Sequence, residues 1–156
     1  MGHVVWDDEI AVPILFERGK YQTELWMSLT PNEIMTLRPG TKLAKGHTVV
    51  TGLGMGWQLC EVLRKKTVKK VTLVEISQEL HDWIGPRIKR MVTSDEWSKL
   101  TVEIGDVHKV LPGVKADVAL LDHFPGYGHN GFEARALMSR CPGIPKWWAW
   151  GSAGLA

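Results

Sequence analysis

His47-Thr48-Val49-Val50-Thr51-Gly52-Leu53-Gly54-Met55-Gly56-Trp57 is the stretch that decides how this chain folds. Its β-branched run ends on three glycines at alternate positions. Gln58-Leu59-Cys60-Glu61-Val62-Leu63 then follows with apolar residues at helical spacing. The pattern reads as strand, tight turn and helix start, the first unit of a nucleotide-binding sheet. Glycine suits such a turn because positive φ costs it little and a missing Cβ lets a ligand lie against the backbone. Unpaired N–H groups at a helix start favour polar or anionic ligand groups. A dinucleotide fold uses G-x-G-x-x-G, whose last glycine allows close helix packing. Here the spacing is G-x-G-x-G and Trp57 stands in the third place of the dinucleotide register.

Working outward, the basic stretch Lys65-Lys66-Thr67-Val68-Lys69-Lys70 leads into Val71-Thr72-Leu73-Val74, a buried-strand pattern ending on Glu75 with Ile76 beside it. An acid about 20 residues beyond the glycines, at the end of the second strand, is where doubly wound folds grip a ribose diol. A carboxylate can accept both hydroxyl protons at once. Leu100-Thr101-Val102-Glu103-Ile104 is a third strand, left through Gly105-Asp106-Val107, and Ala116 to Leu121 is a fourth that ends on Asp122. Glu75, Asp106 and Asp122 therefore share one edge of an open α/β sheet, the edge that faces a ligand crevice.

The ordered set VVTGLGMG, VTLVEIS, EIGDVHKVLP and ADVALLDHF resembles the class I S-adenosylmethionine-dependent methyltransferases. Within them it is most similar to the branch shared with the spermidine synthases, which use decarboxylated S-adenosylmethionine. The likeness spans roughly residues 46 to 123. It implies an α/β fold with a Rossmann-like, mainly parallel sheet flanked by helices. It also implies S-adenosylmethionine as cofactor, with Gly52, Gly54 and Gly56 along its methionine part, Glu75 on the ribose hydroxyls, Asp106 at the adenine amino group, Val107 beside the ring, and Ile76 and Asp122 also among the cofactor-binding residues.

At 156 residues and 44% hydrophobic content the chain suffices for one globular domain with a core. It is read as residues 1–45, a hairpin and capping helix, leading into a cofactor domain over 46–156 that is shortened at its carboxy terminus. The net charge of +2 is too mild to argue for nucleic acid, so a small-molecule acceptor is expected. Cys60 and Cys141 are too few for a disulfide framework or a zinc site. No apolar run approaches 18 residues and no leader-like segment opens the chain, so a cytoplasmic protein without a membrane span is expected.

Two extended stretches around Arg18-Gly19-Lys20 suggest a β-hairpin, with Trp26 to Leu29 reaching the crevice edge as a lid. Thr30-Pro31-Asn32-Glu33 is a capping box that starts a helix, which Pro39-Gly40 should bend or interrupt and Gly46 should end. Ser77 opens another, in which Leu80, Trp83, Ile84 and Ile88 face the sheet and Pro86 implies a kink. Residues 132–138 form a helix, and Pro145 to Gly151 a fifth strand whose tryptophans lie at an exposed edge and offer a surface for self-association.

The chemistry should lie in Asp122-His123-Phe124-Pro125-Gly126-Tyr127-Gly128-His129. Methyl transfer from a sulfonium needs in-line positioning, and a base only if the acceptor must first lose a proton. Asp122 could take that proton or fix the acceptor, His123 could titrate near neutrality, and Tyr127 could form a wall or donate a hydrogen bond. Amino methyltransferases carry a polar residue, two prolines and an aromatic here, and this chain departs from that. Aminopropyl transferases place an acid three residues after the equivalent of Asp122, where this chain has Pro125. Methyl transfer is the expected reaction. Aminopropyl transfer and a non-catalytic cofactor-binding module are the alternatives.

Overall fold

The computed structural model describes residues 12–18, 23–124 and 128–152. Strands β1 (Ile14–Arg18) and β2 (Thr23–Ser28) pair antiparallel as the expected hairpin, whose turn lies outside the described residues. Helix α1 (Pro31–Leu43) follows. Then come β3 (Gly46–Thr51), α2 (Trp57–Arg64), β4 (Val68–Glu75), α3 (Gln78–Met91), the short α4 (Ser94–Ser98) and β5 (Leu100–Ile104). The chain continues through α5 (Val107–Val110), β6 (Val118–Leu121), α6 (Asn130–Arg140) and β7 (Lys146–Ala149).

Strands β3 to β7 form one sheet in the order β5-β4-β3-β6-β7, and every pairing in it is parallel. The chain winds outward from β3 through β4 to β5, then returns to the other side of β3 for β6 and β7. Strand order therefore reverses between β3 and β6, where open sheets leave a crevice beyond their carboxyl ends.

Alternation along the strands divides the core into two layers. Val50, Leu73 and Leu120 pack on Leu59, Leu63, Ile84 and Ile88 of α2 and α3. Val49, Val74, Ala119 and Leu121 point the other way, onto Leu111 and onto Ala134 and Leu137 of α6. A strand buried on both faces needs an unbroken apolar run, which is why β3, β4 and β6 read so clearly in the sequence.

Helices α1 and α3 both keep a proline inside them, and two expectations change, the end of α1 and the direction of Trp83. Helix α1 continues through Pro39 and stops at Leu43, while Gly46 already belongs to β3. Pro39 removes one intrahelical bond, but its neighbour Gly40 lies flat under the Trp148 indole, where a Cβ would approach ring atoms to 2.5 Å, and that packing carries the helix on. Helix α3 likewise runs unbroken through Pro86. Trp83 does not face the sheet: it is 50% exposed, with the Arg87 guanidinium 4.8 Å from its ring centre.

The tryptophans in and just after β7 are not an exposed edge either. Trp147 is buried against the α6 layer, Trp148 is half-buried on α1, and Trp150 donates its indole N–H to Thr36 Oγ1 at 2.9 Å. Their own chain covers Trp147 fully and Trp148 and Trp150 in part. Among the described residues no helix is long and apolar enough to cross a membrane.

Candidate active site

A cleft of about 590 Å³ opens where β3, β4, β5 and β6 end. Its floor is the glycine loop. Gly52 has φ +81°, and a Cβ there would stand 2.4 Å from the Asp122 carbonyl oxygen, so the ends of β3 and β6 approach this closely only around glycine. Gly54 lies against Met27 Sδ at the end of β2, and that sulfur accepts the Met55 N–H at 3.1 Å. Gly56, unlike the other two, stays out of the cleft. Its missing side chain makes room for Ile88 of α3, so its role is close packing of α2, the one a dinucleotide pattern gives its last glycine. Trp57 faces a separate apolar hollow under the hairpin and leaves the cleft open.

Glu75 is the most deeply set acid of the cleft, 4% exposed at the end of β4. Its Oε2 accepts the Leu53 N–H at 2.7 Å and its Oε1 the Ser77 N–H at 2.8 Å. One carboxylate thus pins the glycine loop and the start of α3 together. Each oxygen keeps a second lone pair for a ligand. Asp106 caps α5 by accepting the His108 N–H on Oδ1 at 2.9 Å, and its second oxygen makes no hydrogen bond among the described residues. Ile76, Leu80 and Val107 supply apolar walls between these two acids.

Across the cleft, Asp122 is held by its backbone, whose N–H reaches Thr51 O at 3.1 Å. Burial, helped by the nearby Glu33 carboxylate, pushes the Asp122 carboxyl up to about 7. The His123 ring lies on Phe124 with centroids 4.4 Å apart, and its Nδ1 meets Thr51 Oγ1 at 2.6 Å. The Asp122 N–H donates to that same hydroxyl oxygen at 3.3 Å. The hydroxyl oxygen has two lone pairs and one proton, so the direction of its bond with Nδ1 follows the ring tautomer.

Burial, with His108 adding to it, lowers His123 to about 4, so it does not titrate near neutrality as its place in the sequence suggested. An unfolded histidine takes up its proton near 6.5, so the native state binds fewer protons between about 4 and 6.5. His123 therefore withdraws stability as pH falls through that window. Its ring-proton resonances should move with a midpoint near 4. A midpoint above 6 would mean that the ring is solvated.

Tyr127 lies outside the described residues. The sequence reading missed Glu33, Glu133, Thr51 and His108 as cleft residues or their support. Glu33 could have been found. A helix joined to a strand by two residues runs antiparallel to it, so the capped start of α1 had to lie at the carboxyl end of β3. Glu33 Oε2 accepts the Thr30 N–H at 3.1 Å and the Ser28 hydroxyl, which fastens that helix start to the end of the hairpin.

No protein-family model matches the chain, and no curated protein sequence does. Solved structures match with probability 1.00. A spermidine synthase in complex with the transition-state analogue AdoDATO superposes with a TM-score of 0.58 at 17% identity, covering 81% of this chain and 47% of that one. The fold is that of the class I methyltransferases. A dimethyladenosine transferase from Plasmodium falciparum matches at TM-score 0.52 and 20% identity, over 70% of this chain and 37% of its own. A methyltransferase from Thiobacillus denitrificans, in complex with S-adenosyl-L-homocysteine, matches at 0.51 and 22%, over 75% and 48%. The chain spans less than half the length of each of these three. In this chain the strand order β5-β4-β3-β6-β7 reverses between β3 and β6, and the cleft lies at that switch point.

Proposed function

We propose that this chain binds S-adenosylmethionine across the cleft and transfers its methyl group. The observation that carries the reading is Glu75: a buried carboxylate fixed by two backbone N–H groups, with lone pairs left over, at the end of the strand beside the glycine loop. The donor set fits the cofactor. Glu75 accepts the ribose hydroxyls, Asp106 Oδ2 the adenine amino group, Ile76, Leu80 and Val107 flank the ring, and Gly52 and Gly54 leave room along the loop. When bound, the cofactor supplies an electrophilic methyl. Asp122 takes the acceptor proton, while His123, neutral and tied to Thr51, holds the β6 end in place rather than moving protons. Calorimetry with S-adenosylhomocysteine should show one-site binding in the micromolar range. No heat at millimolar nucleoside would refute the reading.

A second reading, aminopropyl transfer, is favoured by one feature. The N–H groups of Gly52, Leu53, Met55 and Gly56 are all engaged within the protein, and no lysine or arginine lines the cleft among the described residues. A cofactor carboxylate therefore finds few partners. Decarboxylated S-adenosylhomocysteine binding more than tenfold tighter than the intact thioether would decide for this reading, and equal or weaker binding for methyl transfer.

A further inference from the structure

A second hollow, of about 510 Å³, lies behind the glycine loop and shares no lining residue with the cleft. Ile14 lines it from the hairpin, Met55 and Trp57 from the loop and the start of α2, and Trp83 and Met91 from α3. Three of these side chains stand about half in solvent, Ile14 at 47%, Trp83 at 50% and Met91 at 60% exposure. Large apolar groups gathered around one depression mark a surface that a partner covers.

The charge around the hollow is a separate observation. Trp83, Arg87, Arg90 and Met91 stand at the i, i+4, i+7 and i+8 positions of α3 and form one stripe along it. Arg64 of α2 reaches across to donate to the Met91 carbonyl at 2.8 Å. It also pairs at 2.9 Å with Glu61, the only carboxylate lining the hollow among the described residues. Arg87 and Arg90 have no ion pair among the described residues, and the exposed Lys66 and Lys69 follow just past the end of α2. Glu79 stands on the same stripe one turn before Trp83, at the end away from Arg90, and does not line the hollow. The net charge of +2 conceals this segregation, because carboxylates collect at the cleft and cations around the hollow.

We propose that this face docks on an anionic lipid bilayer. Ile14, Trp83 and Met91 enter the interfacial layer, and Arg87, Arg90 and Lys66 meet the lipid phosphates and carboxylates. Tryptophan and arginine suit that layer because each joins an apolar body to a polar or charged tip. A second copy of the chain is a poorer occupant, since a twofold contact sets Arg87 and Arg90 against their own equivalents. RNA is poorer too. Its bases stack on open aromatic faces, whereas aliphatic side chains make up much of this hollow and Arg87 already lies over the Trp83 ring.

The test is co-sedimentation of the full chain with vesicles of phosphatidylcholine alone and of phosphatidylcholine with about 30% phosphatidylserine. Partitioning onto the anionic vesicles should be roughly tenfold stronger or more, and high salt should remove most of the difference. Arg87→Gln combined with Arg90→Gln should weaken it about fivefold for each cation removed, while Lys109→Gln combined with Arg135→Gln, the same loss of charge on the other helix layer, should change it less than about twofold. Trp83→Gln should weaken binding to both kinds of vesicle. All these positions are exposed, so the variants should fold and bind S-adenosylhomocysteine as the parent does, and a failure of the cofactor reading leaves this test standing. Equal partitioning onto the two vesicles, or equal losses in the two double variants, overturns the proposal. So does a dimer that Trp83→Gln dissociates, or a short single-stranded RNA that binds this face more tightly than the vesicles do.

Discussion

Glu75→Ala should abolish measurable S-adenosylhomocysteine binding at micromolar protein and lower the thermal midpoint as well. Two contributions add. Charge-assisted hydrogen bonds to the ribose diol are worth about 1.5 to 3 kcal/mol each, and one alone is tenfold or more in affinity. In addition, the Leu53 and Ser77 N–H groups lose their acceptor in a site with little water, at about 1 to 3 kcal/mol for each buried donor. A loss of about 2 kcal/mol corresponds to roughly 5 °C in a domain of this size. The loop effect must be separated from the diol effect. S-adenosylhomocysteine and its 2′-deoxy and 3′-deoxy analogues, titrated into the unaltered protein, do so. If the deoxy analogues bind as well as the parent while Glu75→Ala binds nothing, Glu75 acts by shaping the loop and the ribose assignment is wrong.

The double duty of Glu75 also shows where sequence reasoning reached and where it stopped. Strands buried on both faces announce themselves as β-branched runs, and an acid at the end of such a run has a fixed place on the sheet, so β3, β4, β6 and the positions of Glu75, Asp106 and Asp122 were legible. What a side chain bonds to across 22 residues is set by how the loop closes, and nothing local encodes the Leu53 contact. The His123 environment was hidden for the same reason. Its acid-shifted titration comes from burial first and then from His108, and its hydrogen bond to Thr51 joins residues 72 positions apart. Pro39 and Trp148 illustrate the tertiary override of a local rule. Proline disfavours helix continuation, but packing of a distant indole on Gly40 outweighs one lost hydrogen bond. The three tryptophans near the carboxy terminus misled because apolar residues on a short edge strand look exposed until the helices that cover them are placed.

Asp122→Asn should behave in the opposite way to Glu75→Ala, with stability gained and turnover lost. The carboxyl is raised from its ordinary 3.8 to about 7 in the folded chain. Between those values the native state keeps a proton that the unfolded chain has released, so stability falls as pH rises through the window and levels off above it. Asparagine cannot ionise. The variant should therefore unfold at a higher temperature than the parent at pH 8 and at nearly the same temperature at pH 4. The parent's His123 contributes with the reverse slope below 6.5, and because it is present in both proteins it cancels in the comparison. S-adenosylhomocysteine affinity should change little. Turnover should drop on the order of 10² to 10⁴, the range for a missing general base. The rise of kcat/KM with pH through about 7, which reports the free enzyme's base, should disappear with it. Were the variant instead less stable at pH 8 and unable to hold the nucleoside, the carboxylate would be a buried anchor of the cofactor pocket. The acid at the end of β6 would then have to surrender its proposed part in proton transfer.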